Sequence, residues 1–246
     1  MLRGIRRPLS RDVRQTVPDS LPDPLLWPRL RPAAAGLLAA CAAVALALGI
    51  LFAGQGRPGR LDASVDAWFR SGLSQDQSLL HVLAWLGDFG PVTAMTAALV
   101  LAGAAARRWR RCVLPAVAVP AASALTEFVF KPLTDRTLHG ALSYPSGHAT
   151  GMFALAAVTG VLLANPARPR RPVAVRLMLT SGAVLVAAAV ALAMVSLGFH
   201  YFTDTIGGAA VGTATVLVSA FVIDWAAASR QRRCPATQTG RLRLDR

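Results

Sequence analysis

The residues best suited to chemistry fall in two short stretches, Tyr144-Pro145-Ser146-Gly147-His148 and His200 through Asp204, with Lys131 and Arg136 upstream of the first. Asp204 follows His200 by four residues, so on one helical turn the two side chains share a face. A carboxylate beside an imidazole fixes its tautomer, leaves the other ring nitrogen free as a nucleophile and stabilises the imidazolium. Ser146 and Gly147 open an apolar run. A helix starting there presents unpaired N–H groups and a positive dipole end to an anion, and glycine lets a ligand come close to the backbone. Two histidines with a lysine and an arginine form a set that handles phosphate. Each piece also has a plain alternative, with Ser146 and Asp204 as helix caps and His200 as an interfacial residue. Glu127, four residues before the only lysine, Lys131, is spaced for an ion pair that positions or neutralises it. His81, Asp135 and His139 read as solvated loop residues. There is no H-E-x-x-H, no paired cysteine and no concentrated carboxylate set, so neither a metal nor a cofactor is expected.

Composition says what must carry these residues. The chain has 246 residues, 54% of them hydrophobic and only 15% charged, with mean hydropathy +0.48. Soluble domains are about 25% charged, so an ordinary soluble enzyme is excluded and lipid is the main solvent. The net charge of +14 suggests nucleic acid at first sight. The arginines, however, lie in short segments between apolar runs and not on one soluble face, so no nucleic-acid partner is expected. Cys41, Cys112 and Cys234 have no metal-ligand or disulfide-framework spacing.

Apolar runs at about 33–54, 84–106, 112–130, 147–164, 173–198 and 205–228 each approach the length that crosses a bilayer. The fold class is therefore all-α, a polytopic bundle of six transmembrane helices. Between the first two runs, Val65, Trp68, Phe69, Leu73, Leu79 and Leu80 mix with Asp62, Asp66, Arg70 and Asp76, which suits short interfacial helices better than another crossing, with a solvated loop as the alternative. Residues 1–32 form a basic, proline-broken and largely disordered tail, 33–228 the membrane domain, and 229–246 a second basic tail. Of the 26 Lys and Arg, 21 fall in the tails and in alternate loops, and the remaining five (Arg57, Arg60, Arg70, Lys131 and Arg136) on the opposite side. The enrichment of basic residues on the cytoplasmic side then places both termini in the cytoplasm. The cluster of Lys131, Arg136, His148, His200 and Asp204 falls on the extracytoplasmic face of the plasma (inner) membrane.

At this point the chain resembles the type 2 phosphatidic acid phosphatase (PAP2) family of integral-membrane lipid phosphatases. Pro145-Ser146-Gly147-His148 matches the second family motif completely, His200 and Asp204 match the end of the third, and Lys131 begins the first. Thr205-Ile206-Gly207-Gly208 continues the third motif in a family-like way, and the resemblance covers roughly residues 60–228. There are departures. Leu138 and His139 stand where the first motif has Arg-Pro, and Ala193 and Met194 where the third has Ser-Arg. Arg136, two positions before Leu138, is expected to supply the missing guanidinium.

The resemblance implies a metal-independent, two-step reaction. His200 attacks phosphorus to give a phosphohistidine, Asp204 orients it, and His148 acts as acid and then base. Lys131, Arg136, Ser146 and Gly147 would bind the substrate, a lipid phosphate or lipid diphosphate, at the bilayer surface. The missing arginines support an alternative, a catalytically weak or silent lipid-phosphate-binding or transport protein. Transfer to an acceptor other than water uses the same residues. The identity of the lipid and the oligomeric state are not legible in the sequence.

Overall fold

A computed structural model describes residues 24–73, 76–164 and 172–233. Most of both basic tails, 1–23 and 234–246, and the loop arginines Arg168, Arg170 and Arg171 lie outside the described residues, as does Cys234. The chain is an all-α bundle: α1 (Arg31–Leu51), α2 (Arg60–Leu73), α3 (Gln77–Leu86), α4 (Phe89–Ala105), α5 (Trp109–Leu125), α6 (Lys131–Thr134), α7 (Gly147–Ala164), α8 (Val173–Ser196) and α9 (Phe202–Arg233). Five helical stretches are long and apolar enough to cross a membrane, and the α3–α4 pair makes a sixth if it is taken as one broken span. Their outward faces carry large apolar side chains such as Ile50, Phe89, Phe128, Leu133 and Leu185. That is the pattern of helices solvated by lipid tails.

Three differences from the sequence expectation have local causes. The run at 84–106 is not one straight helix: it bends by 51° between α3 and α4, because Asp88 takes an extended backbone (φ −66, ψ 160). A hydropathy average over twenty residues does not register a single such residue. The third run continues through a π turn, Thr126–Phe130, into α6; π turns insert one extra residue per turn and often occur at functional sites. Residues 24–30, counted with the disordered tail, are ordered. The N–H groups of Leu25 and Leu26 donate to the Asp224 carboxylate at 2.8 and 2.9 Å, and Pro28–Leu30 forms a 3-10 turn leading into α1. The two leucines are buried, so apolar burial and a paired carboxylate offset the prolines.

Helix α9 is central, packing on α7, α1 and α5. Small residues allow this close approach. A Cβ on Gly208 would lie 2.5 Å from the Ser146 carbonyl oxygen, and one on Gly212 would collide with the Thr150 carbonyl. The apolar core fills the space between α4, α5, α7, α8 and α9 with Val92, Leu114, Leu155, Val158, Val190 and Val216 among others. Between α6 and α7 a two-stranded hairpin pairs Thr137–Leu138 with Ala141–Leu142. His139 and Gly140 turn it with φ of +52 and +82, the geometry of the turns that close tight hairpins. This accounts for one motif departure, since proline, fixed near φ −65, cannot occupy position 139 in this turn.

Candidate active site

Helix α9 starts at the end of the bundle where α7 also starts, and this register brings the two motifs, Pro145–His148 and His200–Asp204, together. The Ser146 N–H donates to the Asp204 carbonyl at 2.9 Å, joining the two segments directly. Ser146 is buried; its carbonyl accepts from the Thr150 N–H and hydroxyl, and its own hydroxyl accepts from the Ala149 N–H only at 3.5 Å. The serine is thus a structural joint, and its N–H is already committed. His148 lies within electrostatic reach of His200 and Lys131. Lys131 Nζ donates to both Glu127 oxygens at 2.8 Å, the expected i,i+4 pair.

His200 stands on the turn between α8 and α9. Its backbone N–H and that of Phe199 both donate to the Met194 carbonyl, at 3.3 and 2.9 Å. Asp204 is fully buried, with Oδ2 3.6 Å from His200 Nδ1 and accepting the Tyr201 N–H at 3.1 Å. The 3.6 Å gap is longer than a hydrogen bond, and the buried His200 Nδ1 has no hydrogen-bond partner among the described residues.

Arg136 departs from the phosphate-facing position expected of it. It is 0% exposed. Nη1 donates to Asp204 Oδ1 at 2.5 Å and to Thr203 Oγ1 at 2.7 Å, and Nη2 to Asp62 Oδ2 at 2.6 Å. The guanidinium is sandwiched between the Phe52 and Tyr201 rings, 4.1 and 4.4 Å from their centroids, a favourable cation–π arrangement. Spacing along a sequence carries no information about depth, so this burial was not legible.

The sequence also gave no sign of three carboxylates that the fold delivers to this region. Asp62 and Asp66 are buried on α2. Asp62 accepts the Thr203 N–H at 2.9 Å and its hydroxyl at 3.0 Å, and Asp66 accepts the Phe202 N–H at 3.1 Å. They cap the first turn of α9, where free N–H groups and the helix dipole favour negative charge. Burial pushes the Asp66 carboxyl up to about 6, against the opposing Phe202 N–H bond, and the nearby Asp62 charge adds to the rise. Desolvation likewise raises the Tyr144 and Tyr201 phenols. The third carboxylate is Asp88, whose Oδ1 lies 2.9 Å from His148 Nε2. A cavity of about 280 Å³ adjoins this pair, lined by Gly87, Asp88, Val92, Glu127, Gly147 and His148 among others. His81 is exposed on α3, and His139 sits in the hairpin turn. Among the described residues, no three of His, Cys, Asp and Glu are grouped as a metal site.

The family model described as the PAP2 superfamily matches residues 92–227, just over half of the chain. No curated protein and no solved structure gives a significant match.

Proposed function

Because the chain belongs to the PAP2 superfamily, whose members imply phosphatase-type chemistry, we propose that it hydrolyses a lipid phosphate monoester or diphosphate through a phosphohistidine. The observation that carries the proposal is the His200–Asp204 pair joined by the Ser146 N–H to the segment bearing His148. Asp204 faces Nδ1, which leaves Nε2 of His200 as the attacking nitrogen. The N–P bond forms as the P–O bond to the lipid breaks, and His148 gives its proton to the departing oxygen. His148 then takes a proton from water, whose oxygen attacks phosphorus, breaks the N–P bond and releases inorganic phosphate. Lys131 offers its charge to the phosphoryl oxygens, and Gly147, at the α7 N-terminus beside Glu127, lines the adjoining cavity. Arg136 acts beneath them as a positioning residue for Asp204.

Loop charge supports an orientation with both termini cytoplasmic and the histidines at the outer face of the plasma membrane. The lipid tail then stays in the bilayer while its phosphate reaches the cluster. The test is phosphate release by purified protein in detergent, without metal, from a panel of lipid phosphates and diphosphates. His200→Ala is expected to abolish release while membrane insertion persists; an undiminished rate sinks the nucleophile assignment.

A second reading, a silent lipid-phosphate-binding or transport protein, is favoured by one set of observations. Leu138 lies in the hairpin, Met194 is buried and Arg136 is enclosed, so none of these three positions turns a guanidinium toward phosphate. Binding of a lipid phosphate without release across the panel is its signature.

A further inference from the structure

The contact that holds His148 comes from outside the matched residues. Asp88 occupies the N-cap position of α4, where an aspartate ordinarily accepts N–H groups of its own first turn. It makes no such bond. Its carboxylate turns instead to His148 Nε2, sixty residues along the chain, at 2.9 Å. Gly87 completes the seat. A Cβ there would lie 2.9 Å from His148 Cδ2, 3.1 Å from His148 Cβ and 2.8 Å from Val190 Cγ1, so the edge of the imidazole rests on bare backbone. The 51° bend at this point aims Gly87 and Asp88 at α7. A stabilising helix cap is left unmade at a place where the chain is shaped to touch one imidazole. Among the described residues, the other titratable groups around His148 are His200, from the turn before α9, and Lys131 with its partner Glu127, from α6 and the π turn.

We infer that Asp88, seated by Gly87, is a positioning residue for proton transfer by His148, holding the Nε2–H so that Nδ1 exchanges a proton with the leaving oxygen. The inference rests on the phosphatase reading above. As the P–O bond breaks, the Nδ1 proton passes to the departing oxygen and the N–H electron pair stays on the ring; Asp88 remains ionised and keeps the Nε2–H. When water attacks the phosphohistidine, Nδ1 takes a proton from it and the imidazolium is restored.

The experiment uses the full chain in detergent with a short-chain phosphatidate, together with NMR titration of isotope-labelled histidines. Asp88→Asn is expected to lower kcat about tenfold or more, since general acid–base transfer contributes about 10²–10⁴, with KM changed less than about twofold. It also moves the alkaline limb of the kcat profile to lower pH, whereas Asp88→Glu keeps that limb in place. Gly87→Ala retains the carboxylate but displaces the ring, and lowers kcat without moving the limb. A uniform loss of rate in Asp88→Asn with the limb unmoved, or an unchanged rate, overturns the inference. If the wild type releases no phosphate at all, the phosphatase reading fails by itself; the NMR midpoint of His148 then still decides about Asp88, falling in Asp88→Asn if the pair is as described and staying put if it is not.

Discussion

Asp204 divides its carboxylate between two basic side chains: Oδ1 accepts from Arg136 Nη1 at 2.5 Å, while Oδ2 stands 3.6 Å from His200 Nδ1. The arginine thereby fixes the carboxylate that faces the histidine, and Asp62 fixes the arginine from its other side. Removing one partner of a buried pair leaves an uncompensated charge, which costs about 3–5 kcal/mol. Arg136→Ala is therefore expected to unfold the protein in mild detergent or to lower its Tm sharply. Adding Asp62→Asn removes one stranded carboxylate and recovers part of the Tm, as measured by thermal denaturation.

Asp66 gives the fold a pH dependence of definite sign. Its carboxyl titrates near 6 in the folded protein, against an ordinary value of 3.8. Between those values the folded state holds more protons than the unfolded one, so stability falls as pH rises. The contribution is whole below about pH 3.8 and is gone once pH passes 6. Asp66→Asn still accepts the Phe202 N–H. It is expected to raise stability at about pH 7.5, on the order of 2 kcal/mol, and the gain should vanish near pH 4. A Tm difference that does not vary with pH contradicts this account.

Lys131 and Glu127 separate activity from stability. Their pair is partly exposed, with side-chain exposures of 17% and 47%, and such pairs contribute about 0–1 kcal/mol. Lys131→Ala should leave the Tm nearly unchanged while lowering kcat/KM about 10²-fold, the usual effect of deleting one preorganised donor. Parallel denaturation and phosphate-release assays read both quantities.

The α7–α9 contact makes a packing prediction with a functional readout. Gly208→Ala drives a methyl group against the Ser146 carbonyl and to within 3.0 Å of Ala149 Cβ, an overpacking expected to cost about 1–3 kcal/mol. Because α9 begins two residues after His200, turnover should fall even at temperatures where the variant stays folded. Gly36→Ala, with nothing within 4 Å of the added methyl, is the control and should be neutral or slightly stabilising.

The sequence showed these elements unevenly. The five or six candidate membrane spans followed from the length of the apolar runs, and the Glu127–Lys131 pair from its four-residue spacing; both are local properties. The carboxylates were different. Asp62 and Asp66 lie about 140 residues from the backbone groups they cap, and Asp88 lies sixty from His148. As isolated acids on short polar segments they looked like solvated surface; tertiary packing buries Asp62 and Asp66 and sets the still exposed Asp88 against His148. Arg136 went astray for the converse reason, since a cation near a phosphate motif looks like a ligand until its three acceptors are seen. The bend at Gly87 and Asp88 was hidden inside a window whose average hydropathy was unaffected.

Asp224, near the C-terminal end of α9, takes the Leu25 and Leu26 amides on one carboxylate, with Arg110 from α5 alongside at 3.4 Å. The chain is in effect buckled, with the lead-in to its first long helix fastened to the tail of its last, far from the histidines. Any fusion partner or affinity handle is therefore best attached upstream of Pro24. Starting the polypeptide at Pro28 would strip the clasp from a sunken aspartate and loosen the opposite end of the barrel of helices, lowering yield without touching the chemistry.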